Sequence, residues 1–283
     1  MTDSDLTKIA FVGDYLPRKC GIATFTHDLR GAVARASSAQ CVVVPVDDIA
    51  GGYDYSSEVS FQISEENLDA YRRAADYLNF SNVDVISLQH EFGIFGGLGG
   101  SHILAFLRDI RIPVVTTLHT VLSKPDATQR RVMEQLTELS TRLVVMTQRS
   151  RETLCQTYAV PESKVDLIAH GIPDSAYADP SELKEKFGVE GRQVVLTFGL
   201  LSPNKGIEYV LKAIPEVTGE FPGFVYLILG ATHPSLVRSE GERYRISLER
   251  MAKELGITKN VSFYNRFVEL QELTQFIGAA DLY

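Results

Sequence analysis

Apolar positions along this chain follow two alternating periods. Short runs rich in β-branched residues at 9–13, 41–46, 85–89, 114–118, 143–147 and 165–168 read as strands. Between them, apolar residues recur at helical spacing near 22–36, 68–78, 102–110, 128–139 and 150–158. Strands alternating with helices predict a parallel sheet covered on both faces, since each parallel crossover needs a helix to return the chain. Gly and Pro in His170-Gly171-Ile172-Pro173-Asp174 then punctuate the chain. A second series follows, with strands at 194–198, 225–229 and 261–263 and helices at 207–217, 244–255 and around 270–279. The pattern predicts one doubly wound domain over 1–175, a linker over 176–192, and the first part of a second domain over 193–283. Three strands make only about half of a doubly wound domain. The second domain is therefore expected to be incomplete, with a further strand due at Asp281-Leu282-Tyr283.

Composition narrows the function classes. The 283 residues are 45% hydrophobic and 23% charged, ordinary for a globular protein with a substantial core. Acidic residues outnumber basic ones 36 to 28, a net charge of -8, which argues against a nucleic-acid partner. Three scattered cysteines, Cys20, Cys41 and Cys155, form neither a disulfide framework nor a zinc pattern, and a reducing cytoplasm is the simplest setting. No apolar run approaches the roughly 20 residues of a spanning helix. The acidic start Met1-Thr2-Asp3-Ser4-Asp5 is unlike a signal peptide. Peripheral membrane contact stays open, but no strongly basic amphipathic helix supports it.

The candidate chemistry lies where strands run into helices. After the strand at 194–198 come Gly199-Leu200-Leu201-Ser202-Pro203-Asn204-Lys205-Gly206, then a helix whose apolar face is Ile207, Val210, Leu211, Ile214 and Val217. Free N–H groups and the positive end of the helix dipole face back into that loop. Lys205 adds a mobile charge able to neutralise an anionic leaving group such as a diphosphate. Locally, a solvated Lys after a type I turn at Ser202-Pro203 would read the same way. The first domain repeats the device: a strand, the loop Asp14-Tyr15-Leu16-Pro17-Arg18-Lys19-Cys20-Gly21, and a helix with Ile22, Phe25, Leu29, Ala32 and Val33 on one face. Open parallel sheets bind ligands at such carboxyl-terminal strand ends. Two of them facing each other across a hinge suggest a cleft.

Several segments together carry a family resemblance: residues 15–25, Gln89-His90-Glu91-Phe92-Gly93-Ile94-Phe95-Gly96-Gly97, Thr116-Thr117-Leu118-His119-Thr120, and the Lys205 loop. The whole chain resembles the retaining, nucleotide-sugar-dependent glycosyltransferases of family 4, which have the GT-B fold of two Rossmann-like doubly wound domains facing a cleft. Gly230-Ala231-Thr232-His233-Pro234 and Gly241-Glu242-Arg243-Tyr244-Arg245 are similar to a bacterial and archaeal branch described as group 1 glycosyltransferases. The resemblance implies that His119 and Lys205 are catalytic, His119 beside the transferred sugar and Lys205 on the departing diphosphate. It implies donor binding by Gly21, Gly199, Asn204, Lys205 and Gly230, and acceptor binding by Arg18, Cys20, His90 and Glu91. A side chain at position 21 would obstruct the cleft. For His119 a ring satisfied by backbone at a strand end, and for His90 and Glu91 a buried pair capping the Gly-rich loop, are the structural alternatives. No metal or cofactor is expected.

One departure stands out. Relatives carry an Arg directly after the glycine that ends the second-domain strand, where this chain has Leu200. Either Lys205 works with a cation from elsewhere, such as Arg18 or Lys19, or the donor is bound less tightly or differently. The paired glutamates that bind the donor sugar and ribose in the family would lie beyond Tyr283, which makes the chain look truncated and impaired alone. The expected function is transfer of a hexose, mannose or glucose, from a nucleotide diphosphate sugar to a carbohydrate or other hydroxyl acceptor. A sugar-nucleotide epimerase of the same fold and a non-catalytic sugar- or partner-binding protein are the alternatives.

Overall fold

The computed structural model describes residues 6–172 and 174–283. The chain divides into two compact units, 1–171 and 172–283.

The first unit is built on seven strands: β1 (Lys8–Gly13), β2 (Gln40–Asp47), β3 (Ile63–Ser64), β4 (Val85–His90), β5 (Val114–Leu118), β6 (Arg142–Val145) and β7 (Val165–Leu167). All pair in parallel, in the order β3-β2-β1-β4-β5-β6-β7. Helices α1 (Gly21–Ala36), α2 (Leu68–Asn79), α3 (Ile103–Asp109), α4 (Ala127–Leu139) and α5 (Gln148–Tyr158) form the crossovers. Along β1, Ala10 and Val12 enter one core while Ile9 and Phe11 enter another on the opposite face. That alternation is the period-2 pleat of a sheet buried on both sides. The chain leaves β1 for β2 on one flank and later returns to β4 on the other. The carboxyl ends of β1 and β4 therefore form a topological switch point, where such sheets open a crevice.

The second unit starts with α6 (Pro180–Lys186), followed by β8 (Gln193–Phe198), α7 (Ile207–Glu220), β9 (Phe224–Leu229), α8 (Pro234–Glu240), α9 (Arg243–Glu254), β10 (Val261–Tyr264) and α10 (Leu270–Ala279). The three strands are parallel in the order β10-β9-β8. Leu282 pairs in parallel with Val195 on the other side of β8, and Leu196 N–H donates to the Leu282 carbonyl at 2.8 Å. This makes β8 the switch strand of its own sheet.

The stretch 176–192, expected as a linker, contains α6, which packs within the second unit. Leu183 is buried, Phe187 stacks on Phe276 at 4.0 Å, and Lys184 Nζ lies 2.7 Å from Asp281. Its start was legible in Asp179-Pro180: Asp179 accepts from Ser181 N–H at 2.8 Å, and Pro sits at the first helical position, where it lacks only an unneeded donor. β3 and α8 are further elements that periodicity did not reveal, the first too short and the second only seven residues long. Among the described residues no helix is long and apolar enough to cross a membrane, and Cys20, Cys41 and Cys155 are all free thiols.

Two glycines test the packing of the strand ends. At Gly230, φ is +151° and a Cβ would sit 1.9 Å from the Gly199 carbonyl oxygen, whereas a Cβ at Gly21 would meet no atom within 4 Å. Gly230→Ala is expected to cost at least about 3 kcal/mol through strain and backbone displacement. Gly21→Ala should stay within about 0.5 kcal/mol of the parent, as for a surface site. Urea midpoints of the two variants check both.

Candidate functional site

In the first unit the site grows from the loop between β1 and α1. Asp14 is fully buried at the end of β1, and its Oδ1 lies 2.9 Å from Arg18 Nη1. Arg18 is closed in by further carboxylates: Glu65 at 3.4 Å, Asp48 at 3.6 Å, and the Val46 carbonyl at 3.1 Å. Burial pushes the Asp14 carboxyl up to about 7, with the Arg18 charge pulling it back. Cys20 caps α1 by accepting from Ala23 N–H at 3.3 Å while its thiol donates to Asp14 at 3.1 Å. Burial and then the neighbouring Asp14 raise that thiol to about 12, so it is no thiolate at neutral pH. Both side chains therefore serve the loop's own structure rather than standing open to an acceptor, as the sequence reading expected. Gly21 begins α1, exposed and with open space above its Cα.

β4 and β5 deliver the histidines side by side. His119 N–H donates to the His90 carbonyl at 3.0 Å. The ring of His119 meets Gln89 Oε1 through Nε2 at 3.1 Å, while the Gln89 amide donates to Ser87 Oγ at 3.0 Å. Gln89 can accept from or donate to Nε2 according to the orientation of its amide, so it serves as the ring's partner in either neutral tautomer and leaves Nδ1 as the other hydrogen-bonding atom. Burial, and then the charge of His170, lower His119 to about 4. It is neutral at pH 7. Phe25 from α1 sets its edge against the ring at 4.7 Å and against His170 at 5.1 Å. Gln89 and Phe25 are positioning residues that the sequence reading left without a role. Their signal was available only as a polar residue ending an apolar strand and an aromatic one turn inside a helix.

His90 departs from its expected acceptor role. Its ring is wholly buried, edge-on to Phe92 at 5.1 Å and stacked on Phe95 at 5.9 Å, and neither ring nitrogen has a hydrogen-bond partner. The buried His90–Glu91 pair does not form either. Glu91 instead accepts from its neighbour Phe92 N–H at 2.9 Å and from Thr120 Oγ1. The Gly-rich loop after it is tied down at Gly96, whose N–H donates to Tyr71 Oη at 3.1 Å.

In the second unit the loop after β8 makes a 3-10 turn at Pro203–Lys205, and Gly206, φ +66°, precedes α7, whose first turn no side chain caps. Asn204 and Lys205 are exposed. Lys205 Nζ lies 3.8 Å from where a Cβ of Gly199 would be, so the ammonium sits over the end of β8. Gly199 has φ +115°, a conformation that disfavours any side chain. Gly230, expected to approach the donor, is buried against Gly199. Its glycine is explained by that contact. Leu200 is half-buried beside this loop. His233 lies close enough to Arg238 and Lys205 that, after burial, both charges push its proton affinity down. This is a positively charged strand edge within one unit. A hollow of about 360 Å³ lined by Ala231, Thr232, Glu242, Arg245 and Asn265 opens beside it. Among the described residues no cluster of three or more His, Cys, Asp or Glu is placed to hold a metal ion.

The comparisons with known proteins agree with this architecture. The family model described as Glycosyltransferase Family 4 matches residues 21–176, and that described as Glycosyl transferases group 1 matches residues 179–283. A D-inositol 3-phosphate glycosyltransferase of Segniliparus rotundus is 30% identical over 185 residues, 60% of this chain and 40% of that protein. A GDP-mannose-dependent alpha-(1-6)-phosphatidylinositol monomannoside mannosyltransferase of Mycolicibacterium smegmatis is 28% identical over 127 residues, 44% of this chain and 30% of that protein. The chain thus matches less than half the length of these relatives. The crystal structure of Anabaena HepE in complex with UDP and glucose superimposes with a TM-score of 0.70 at 16% identity, over 98% of this chain and 73% of that one. That likeness shows the GT-B fold.

The buried histidine makes a pH prediction. Burial, then the nearby His119, lower His90 from 6.5 to about 3. The unfolded chain binds a proton that the folded one refuses, so this stability is complete above pH 6.5 and is lost as pH falls toward 3. His90→Leu should remove that penalty, gaining roughly 2–3 kcal/mol on the parent between pH 7 and pH 4.5. Urea midpoints of parent and variant at the two pH values test it, and equal differences at both would refute it.

Proposed function

We propose, for a chain that belongs to the family 4, group 1 glycosyltransferases, that it moves a hexose from a nucleotide diphosphate sugar to a hydroxyl acceptor with retention at the anomeric carbon. The observation that carries this reading is the ammonium of Lys205 held over Gly199 in front of the uncapped α7 N-terminus. A full charge and aligned backbone N–H groups, fixed before the reaction, stabilise the charge that builds on a departing diphosphate. The charges of Lys205 and Arg238 both reach His233 and hold it below its usual range, so His233 is a neutral ring at pH 7 and Lys205 is the charge this reading relies on. Arg18 is spent on Asp14, Asp48 and Glu65.

In this reading the neutral His119 orients the sugar. Its Nδ1 hydrogen-bonds a sugar hydroxyl, and Gln89 and Phe25 hold the ring for it. Gly21 keeps open the space that donor phosphate and acceptor share, because neither its backbone conformation nor its neighbours demand glycine. Mannose and glucose are the proposed sugars, the former in keeping with the mannosyltransferase relative. The acceptor is a carbohydrate or related alcohol, and the setting is the cytoplasm.

Lys205→Ala is expected to lower kcat/KM by about 10²–10³, the usual cost of removing one preorganised charge from a transition state. Gly21→Val should abolish transfer while leaving the urea midpoint within about 1 kcal/mol of the parent. A nucleotide-sugar panel assayed for acceptor-dependent release of nucleoside diphosphate checks both, with the product's anomeric configuration read by NMR. A changed nucleotide sugar formed without acceptor would identify an epimerase. No consumption at all would leave only a binding role.

A further inference from the structure

The hollow at the carboxyl ends of β9 and β10 is lined by polar groups that the transfer chemistry does not use. Thr232 Oγ1 donates to Glu242 Oε2 at 2.6 Å, and Arg245 Nε donates to the same oxygen at 2.8 Å. Arg245 Nη1 and Asn265 Nδ2 both donate to Glu249 Oε1, at 2.7 and 2.9 Å. These bonds commit one oxygen of Glu242, the amide nitrogen of Asn265 and two of the three guanidinium nitrogens of Arg245. Among the described residues, Glu242 Oε1, Asn265 Oδ1 and Arg245 Nη2 are left to whatever enters. The hollow therefore presents two acceptors, one of them charged, and one guanidinium donor.

Its position links it to the diphosphate edge. Leu201 N–H donates to the Ala231 carbonyl at 2.8 Å, His233 N–H donates back to the Leu201 carbonyl at 3.0 Å, and Thr232 bridges Leu201 in parallel. The wall of the hollow is thus bonded directly to the loop that carries Lys205. A volume of about 360 Å³ falls within the usual range for small-molecule sites.

We infer that this hollow reads the base of the donor nucleotide and that the base is guanine, a proposal that rests on the nucleotide-sugar reading above. Guanine presents N1–H and N2–H₂ as adjacent donors and O6 and N7 as acceptors, a match to two acceptors and one guanidinium. Uracil has a single ring N–H between two carbonyls. It would leave one of the acceptors, carboxylate or amide, desolvated without a donor. Adenine carries one amino group and no ring N–H on its pairing edge. The same hydrogen bonds that hold Glu242 also keep it ionised: Thr232 first, then Arg245, hold its carboxyl below the usual range.

Titration calorimetry of the protein with GDP, UDP and ADP tests the assignment. GDP is expected to bind at least about tenfold tighter than either competitor, since a site built for polar groups discriminates strongly against analogues lacking them. Glu242→Gln, which puts an amide donor in reach of guanine's donors, should weaken GDP at least about tenfold and UDP less than threefold. Asn265→Ala, an exposed change with little bearing on folding, should narrow the same preference. UDP or ADP binding as tightly as GDP would overturn the base assignment and leave the donor reading standing. A GDP preference untouched by both substitutions would overturn the role of the hollow. Failure of every nucleoside diphosphate to bind would remove the nucleotide-sugar reading itself.

Discussion

Close approach between neighbouring parallel strand ends underlies both halves of this protein. In the first unit, Gly13 at φ +147° lets the end of β1 lie against Gln89, where a Cβ would stand 2.9 Å from the Gln89 Cβ. Gln89 in turn holds the ring of His119. In the second, Gly230 at φ +151° lets the end of β9 lie against the Gly199 carbonyl, and Gly199 is the floor beneath Lys205. Each candidate catalytic side chain is thus two contacts away from a glycine whose backbone no other residue adopts comfortably. The strain-tolerant residue sits at the sheet edge, and the chemistry stands on it.

The two units then divide the electrostatics. The first buries Asp14 and packs it with Asp48 and Glu65 around a single guanidinium, so its loop is held by an excess of acid. Burial keeps His90 and His119 neutral at pH 7, which leaves His119 suited to hydrogen bonding rather than proton transfer. The second exposes Lys205 at a helix start, an arrangement that favours an anion. Beside the hollow the carboxylate of Glu242 is bound by Thr232 and Arg245. Under the proposed function a donor diphosphate and an uncharged hydroxyl acceptor make these opposite demands.

Much of this was legible in the chain. The strands of both sheets, apart from the two-residue β3, announce themselves by short β-branched runs, and the long helices by their apolar faces, because burial on both sides of a parallel sheet leaves little freedom in composition. The Lys205 loop was legible for a similar reason: a lysine between a strand and a helix has few places to go. α6 escaped notice because its apolar contribution is one residue, Leu183, whose partners lie some 90 positions away in α10. The surroundings of Arg18, Cys20 and His90 were not legible from their neighbours in sequence. The residues that claim them, such as Glu65 for Arg18 and Phe95 for His90, are brought in by other strands and loops.

By itself, then, the sequence determined the alternation of strand and helix, the two series of elements, and the loops where helix N-termini meet strand ends, since these follow from local periodicity and backbone chemistry. Only the tertiary structure decided which side chains stand free. Whether a charge or a ring nitrogen is available depends on what the fold packs against it. Arg18 is consumed by three carboxylates and His90 is walled in by aromatic rings. Lys205 stands exposed, and Glu242 and Arg245 at the start of α9 converge with Asn265 after β10 on one hollow.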